Sequence, residues 1–136
     1  CSELSKKSNS IHLLQNEDYD IIPYYLSADI LISDISSTLF EYLPMDKPII
    51  QAQCYNLKLK HRIFNKRFWK KMDIDRQDNV DFAYQIVEAD DILGMVYYAM
   101  DNHDEMSTKR KEATEHYLYK VDGNASSRLI DAIEAY

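Results

Sequence analysis

The apolar positions of this chain come in short blocks whose period changes, most clearly between Ala28 and Leu43. Ile30-Leu31-Ile32 is a compact aliphatic run ending in polar residues, the pattern of a buried parallel strand. Leu39, Phe40 and Leu43 follow at the spacing of one helix face, with Ser36, Ser37 and Thr38 where that helix begins. Pro44-Met45-Asp46 ends the helix, and Lys47-Pro48-Ile49-Ile50-Gln51 opens the next strand. The interval from Ile30 to Ile49 suits a βαβ crossover with both strands parallel in one sheet. Ligands of such sheets gather at the carboxyl ends of the strands, so Ser33 to Ser37 and Gln51 to Cys54 are expected to face one crevice.

The same reading covers the flanks. Ile11-His12-Leu13-Leu14 reads as a short strand and Asn16-Glu17-Asp18 as the turn after it. Tyr19 to Leu26 reads as a helix with Asp18 or Asp20 as cap and Pro23 in its first turn. Downstream, a strand is expected around Gln85-Ile86-Val87. Glu88-Ala89-Asp90-Asp91 then opens a helix with Ile92, Leu93, Val96, Tyr97 and Met100 as its core stripe. Asp101 to Asp104 break that helix. Met106 to Tyr119 reads as another, with Tyr117 and Leu118 inward. Asp122-Gly123 is a turn signal and Asn124 a helix cap. Ala125 to Tyr136 is expected as a last helix facing inward through Leu129, Ile130 and Ile133.

Composition narrows the class. At 136 residues, 1–136 reads as one α/β domain with a core of its own. Two glycines are few for a complete nucleotide-binding α/β domain, and the chain begins at Cys1, so it is expected to be cut from a longer polypeptide. No apolar run is long enough to span a bilayer. Cys1 and Cys54 lack a C-x-x-C partner, which points to a reducing, cytoplasmic setting. His12 reads as a structural residue, and His103 and His116 have no partner at ligand spacing, so no metal and no cofactor is expected.

Charge is uneven along the chain. Between Leu57 and Met72 stand Lys58, Lys60, Arg62, Lys66, Arg67, Lys70 and Lys71, with no acid among them. Removing this +7 from the overall −7 leaves −14 on the remainder. Such a balance excludes a general nucleic-acid binder but permits binding of a local polyanion. Phe64, Phe68 and Met72 repeat every four residues within the strip, as in an amphipathic helix. Two readings stand side by side: a solvated helix face, or an attachment strip for anionic lipid headgroups or a polyanionic acceptor with Trp69 and Phe68 at the interface.

Chemistry is offered at two hydroxyl-rich helix starts. The first amides of a helix lack partners within it and carry partial positive charge, so a phosphate beside Ser36 to Thr38 would meet backbone and hydroxyl donors together. Ser126 and Ser127 stand in the first turn of the last helix, with Arg128 close by to answer a phosphate charge. At each start the competing reading is an ordinary capped helix.

Ala28-Asp29-Ile30-Leu31-Ile32-Ser33-Asp34-Ile35-Ser36-Ser37, then Phe40-Glu41-Tyr42 and Asp46-Lys47-Pro48-Ile49-Ile50, resembles a block of the CDP-glycerol glycerophosphotransferases, the polymerases and primases of teichoic acid synthesis. Asp122-Gly123-Asn124-Ala125-Ser126-Ser127-Arg128 resembles the motif that closes the same family. The middle departs from it: Gln51-Ala52-Gln53-Cys54-Tyr55 stands where the family has an acidic and aromatic loop, so no ligand role is carried over to that loop.

The resemblance implies a Rossmann-like three-layer parallel sheet, the carboxyl-terminal half of a GT-B architecture, with CDP-glycerol held mostly on this half. The implied reaction is attack by an acceptor hydroxyl on the donor's β-phosphorus with CMP leaving. Ser36, Ser37 and Thr38 are then assigned to the donor phosphates, Ser126 and Ser127 to the same diphosphate, and Asp34, Asp122, Asn124 and Arg128 to orienting the loops or a donor hydroxyl. The general base is expected outside this chain, on a missing amino-terminal domain, so the isolated chain is expected to bind donor without turnover. The implied acceptor is a polymer or a lipid-linked molecule, and the implied location the cytoplasm, peripheral on the inner face of the membrane. Two other classes fit the residues: another GT-B nucleotide-sugar transferase, and a non-catalytic module that binds a membrane or partner through the 57–72 strip.

Overall fold

The computed structural model describes Ser10, Ile11, Leu14, residues 20–54 and residues 80–136. The elements in order are α1 (Ile22–Ser27), β1 (Leu31–Ser33), α2 (Thr38–Glu41), a 3-10 turn (Leu43–Met45), β2 (Ile49–Ala52) and β3 (Tyr84–Ile86). A second 3-10 turn (Ala89–Asp91), α3 (Ile92–Asp101), α4 (Ser107–Leu118) and α5 (Ala125–Glu134) complete the described part. The strands form a parallel sheet in the order β1-β2-β3, with Leu31 opposite Ile49, Ile32 opposite Ile50, and Ile50 opposite Tyr84. The described chain is therefore α/β with helices on both faces of a small parallel sheet, an arrangement compatible with a Rossmann-like fold.

Alternation along the strands sorts two cores. Leu31 and Ile49 look toward α2, the first 3-10 turn and α4, where Leu39, Tyr42, Leu43, Val80, Phe82 and Ala113 close around them. Ile50, Tyr84 and Ile86 look the other way, against Ile92, Met95, Val96 and Ala99 of α3. Aromatic edges add direction to the first core: Tyr25 meets Tyr42 at 5.4 Å between ring centroids, and Phe40 meets Phe82 at 5.6 Å.

Several expectations change in detail. The helix after β1 does not run through: Pro44 lacks the amide a further turn needs, and the chain tightens into a 3-10 turn after Tyr42. Strand β3 sits one residue earlier than expected, which buries Tyr84 and Ile86 and leaves Gln85 and Val87 exposed. On α3 the buried stripe is Ile92, Met95, Val96 and Ala99, while Leu93, Tyr97 and Met100 are exposed. Nearly every residue of that helix is apolar, so two stripes satisfy the same period and the sheet selects between them. On α4 the buried residues are Arg110 and Ala113, whereas Tyr117 is exposed and Leu118 half-buried. Leu129, Ile130 and Ile133 of α5 are exposed and meet no core among the described residues. Ile11 and Leu14 are exposed and belong to no strand; His12, Leu13 and residues 16–18 lie outside the described residues.

Two ties hold the amino end of the sheet. Asp46 ends the first 3-10 turn in the left-handed conformation, φ 49°, which Asp tolerates better than most residues. Its carboxylate accepts from Ser107 Oγ at 2.7 Å and from Arg110 Nε at 2.9 Å, with Lys111 Nζ at 3.2 Å, so the first turns of α4 are fastened to the start of β2. Burial pushes the Asp46 carboxyl up, but the hydrogen bonds from Ser107, Lys111 and Arg110 and the Arg110 charge outweigh it and leave the pKa below its ordinary value. The second tie closes α1: Lys47 Nζ donates to the carbonyls of Leu26 (3.0 Å) and Ala28 (2.6 Å), and Tyr42 donates its hydroxyl to Ala28 (2.9 Å). At the other end of α1, Asp20 Oδ1 accepts the Ile22 amide at 3.0 Å, and Pro23 falls in the first turn as expected.

Candidate functional site

At the carboxyl end of β1 the chain leaves the sheet at Ser33 and turns through Asp34, Ile35, Ser36 and Ser37 into α2. Four hydroxyls collect there. Ser33 Oγ and Thr38 Oγ1 lie 3.0 Å apart in a hydrogen bond that either can donate, and the Thr38 amide reaches Ser36 Oγ at 3.4 Å. Ser37 occupies the cap position but its side chain caps nothing, and it is exposed together with Asp34. This changes the expected mode of anion binding. α2 is a four-residue helix, too short to build a macrodipole, so the capacity of the segment for an anion rests on its hydroxyls and the amides of the turn.

A polar row crosses the sheet beside that turn. Ser33, Gln51 and Gln85 are paired positions on the three strands, one row of side chains on the face that carries α2. Gln85 Nε2 is used by the Val80 carbonyl at 3.2 Å. Gln51 is fully buried; its Oε1 accepts from Gln53 Nε2 at 3.2 Å, while its own Nε2 has no partner among the described residues. An unused buried amide costs about 1–3 kcal/mol, so this side chain stands out in an otherwise satisfied sheet. The signal was present in the sequence as a glutamine directly after Ile49-Ile50 in a strand buried on both faces. Cys54, just beyond β2, is a free, exposed thiol.

The second motif is reached along α4. That helix starts beside Asp46 at the amino end of the sheet and finishes with Tyr117 edge-on to Phe40 of α2, centroids 4.8 Å apart. The turn at residues 119–124 follows directly on that end of α4. Tyr119 leaves the helix with φ 60°, its ring under Lys120 Nζ and the Arg128 guanidinium. Asp122 Oδ1 accepts the Asn124 amide at 3.0 Å, and both Asp122 oxygens accept from Arg128 NH1, at 2.7 and 2.8 Å. Gly123 supplies the left-handed residue at φ 72° that this turn requires.

Two contacts bear on the expected roles here. Asn124 occupies the cap position of α5 without a side-chain capping bond: its side chain turns back to the Asp122 carbonyl, and the Asp122 carboxylate accepts the Asn124 amide. Arg128 is engaged by Asp122 rather than open to a phosphate, and these contacts hold the Asp122 carboxyl below its usual range, with the Arg128 hydrogen bond the largest cause. Ser126 and Ser127 are exposed in the first turn of α5, and no hydrogen bond among the described residues joins them to Ser36, Ser37 or Thr38.

The remaining candidates are quickly placed. Lys58, Lys60, Arg62, Lys66, Arg67, Trp69, Lys70 and Lys71 lie outside the described residues. His103 pairs with Asp104 at 3.3 Å on the surface, and His116 lies edge-on to Tyr117. Among the described residues no group of three or more His, Cys, Asp or Glu is placed to hold a metal ion, and no helix is long and apolar enough to cross a membrane.

The sequence model of a family described as CDP-Glycerol:Poly(glycerophosphate) glycerophosphotransferase matches residues 2–135. The chain is also similar to the Minor teichoic acid biosynthesis protein GgaB of Bacillus subtilis (strain 168), 24% identical over 118 residues. That alignment covers 87% of this chain and 12% of GgaB, so the chain spans a small part of the relative's length. No solved structure gives a significant match.

Proposed function

The chain belongs to the CDP-glycerol:poly(glycerophosphate) glycerophosphotransferase family, and on that premise we propose that it supplies the donor-binding part of a transferase. That transferase would move glycerol phosphate from CDP-glycerol to a hydroxyl of a polymer or lipid-linked acceptor in teichoic acid synthesis. The observation that carries this reading is the hydroxyl cluster Ser33, Ser36, Ser37 and Thr38 at the carboxyl end of a parallel sheet, where ligands of such sheets collect.

The chemistry asks little covalent work of the protein. An acceptor oxygen bonds to the β-phosphorus, the bond from that phosphorus to the bridging oxygen breaks, and CMP leaves with the electron pair. Negative charge gathers on the phosphoryl oxygens and on CMP, so the site acts by holding the diphosphate in place and donating hydrogen bonds to it. Ser36, Ser37 and Thr38 take the donor phosphates in this scheme. The turn at Asp122 brings Ser126 and Ser127 to the same diphosphate, Asp34 and Asn124 orient the loops, and Arg128 exchanges Asp122 for phosphate. The general base comes from a further domain, the described sheet is the carboxyl-terminal half of a GT-B pair, and the enzyme works in the cytoplasm with the 57–72 strip against the inner face of the membrane.

CMP release from CDP-glycerol by the longest polypeptide that carries this chain, with and without a membrane acceptor, tests the reading. Release that is lost in a Ser36→Ala/Ser37→Ala variant is the expected result. Turnover of a nucleotide sugar in place of CDP-glycerol would move the assignment to another transferase on the same fold. Salt-sensitive vesicle binding without any nucleotide binding would move it to a non-catalytic module.

A further inference from the structure

Gln51 is the fully buried side chain of the polar row whose donor is unused, and its place in the sheet says where that donor can go. Its Oε1 is committed to Gln53, which leaves Nε2 as the free end of the carboxamide. On one side the row continues to Gln85, whose own amide is satisfied by Val80. On the other side it continues to Ser33, at the directly paired position of β1 and on the same face. Adjacent strands lie about 4.8 Å apart, so Gln51 and Ser33 are direct neighbours across the sheet, and the bond between them requires a change of the Gln51 rotamer. Ser33 is in turn bonded to Thr38, with the direction of that bond open.

We propose that Gln51 is a positioning residue for phosphate binding: Gln51 Nε2 donates to Ser33 Oγ, Ser33 donates to Thr38 Oγ1, and Thr38 is thereby left to donate to a phosphate oxygen of a nucleoside diphosphate. This rests on the donor-binding reading above and adds to it the element that aligns the hydroxyls. A hydroxyl that accepts one hydrogen bond is free to give its own proton onward, so one fixed donor at the head of the row points every following proton toward the anion. Without that donor, the Ser33–Thr38 pair is as free to point its protons into the sheet as toward the phosphate.

The test is calorimetric titration of the chain with CDP-glycerol, for wild type, Gln51→Met, Ser33→Ala, the double variant and Gln85→Met, each with a thermal melt. The expected result is donor affinity about tenfold weaker in Gln51→Met and in Ser33→Ala, no further loss in the double variant, and no change in Gln85→Met. The melt reports whether Gln51→Met folds, since it removes the acceptor of the Gln53 bond together with the donor of the row; if its melt shows misfolding, Gln51→Glu, which keeps that acceptor and reverses the first bond of the row, takes its place with the same expected loss. Wild-type affinity in a folded Gln51 variant would overturn the relay and leave the donor-binding reading intact. Additive losses in the double variant would also overturn it, since Gln51 would then act independently of Ser33. A wild-type chain that binds no CDP-glycerol would remove the donor-binding reading, and the relay with it.

Discussion

Arg110, buried in α4, donates Nε to Asp46 Oδ1 over 2.9 Å and its NH2 to the carbonyls of Asp46 and His103, joining parts of the chain that are 64 residues apart in sequence. Removing the guanidinium takes the buried charge partner from a carboxylate only about one-third exposed, leaving it Ser107 and the exposed Lys111, and opens a hole under α4. Arg110→Ala should therefore cost about 3 kcal/mol, a drop in melting temperature of about 10 °C by differential scanning calorimetry.

The same pair sets an acid limit. The folded-state pKa of Asp46 is depressed, so its contribution to stability is present above the unfolded carboxylate value, near 4, and is lost as pH falls through the lower folded value. Asp46→Asn keeps a residue that accepts the left-handed backbone and removes only the charge. Denaturant melts should show the variant less stable than wild type at pH 7, with the gap closing below about pH 4.

At the alkaline limit, Tyr25 and Tyr84 are each pushed up to about 12, by burial first and then by hydrogen bonds to Glu41 and Glu105. The folded state holds these protons after the unfolded chain has released them, so their stabilisation is complete below about pH 10 and is lost as pH rises toward 12. Ultraviolet titration of the tyrosinates should show late ionisations, one of which disappears in Tyr25→Phe and another in Tyr84→Phe.

Ser36→Ala/Ser37→Ala should weaken CDP-glycerol binding by tenfold or more, since hydrogen bonds to a charged phosphate contribute about 1.5–3 kcal/mol each. Neither side chain belongs to a core, so the melting temperature should stay within about 2 °C of wild type.

Asp122 and Arg128 allow a test with opposite signs. If Arg128 exchanges its carboxylate for a donor phosphate, Asp122→Asn relieves that competition and should tighten CDP-glycerol binding at low salt, whereas Arg128→Gln should weaken it. Equal affinities in titrations of both variants would confine Arg128 to fastening the turn below Tyr119.

The strands and most helices were legible because period and breakers agree locally: Ile30-Leu31-Ile32, Ile49-Ile50, the Pro44 stop and the Asp101–Asp104 break all lie where expected within a residue or two. What escaped depends on distant partners. Arg110 reads as surface in its own window, and only Asp46 explains its burial. The α3 stripe is ambiguous because its sequence is apolar around most of the helix, and β3 slipped by one because Tyr84 and Val87 are both credible strand residues. At the site, the hydroxyls of the β1–α2 turn were visible, but the engagement of Arg128 by Asp122 and the unpaired amide of Gln51 are properties of geometry.

Asp46 and Arg110 fasten one end of β2, and the hydroxyl cluster and Gln51 occupy the other. Variation in the turn after β1 can therefore accumulate without loosening that fastening. A lineage of such chains is free to vary its chemistry at one pole while selection for persistence acts at the opposite one.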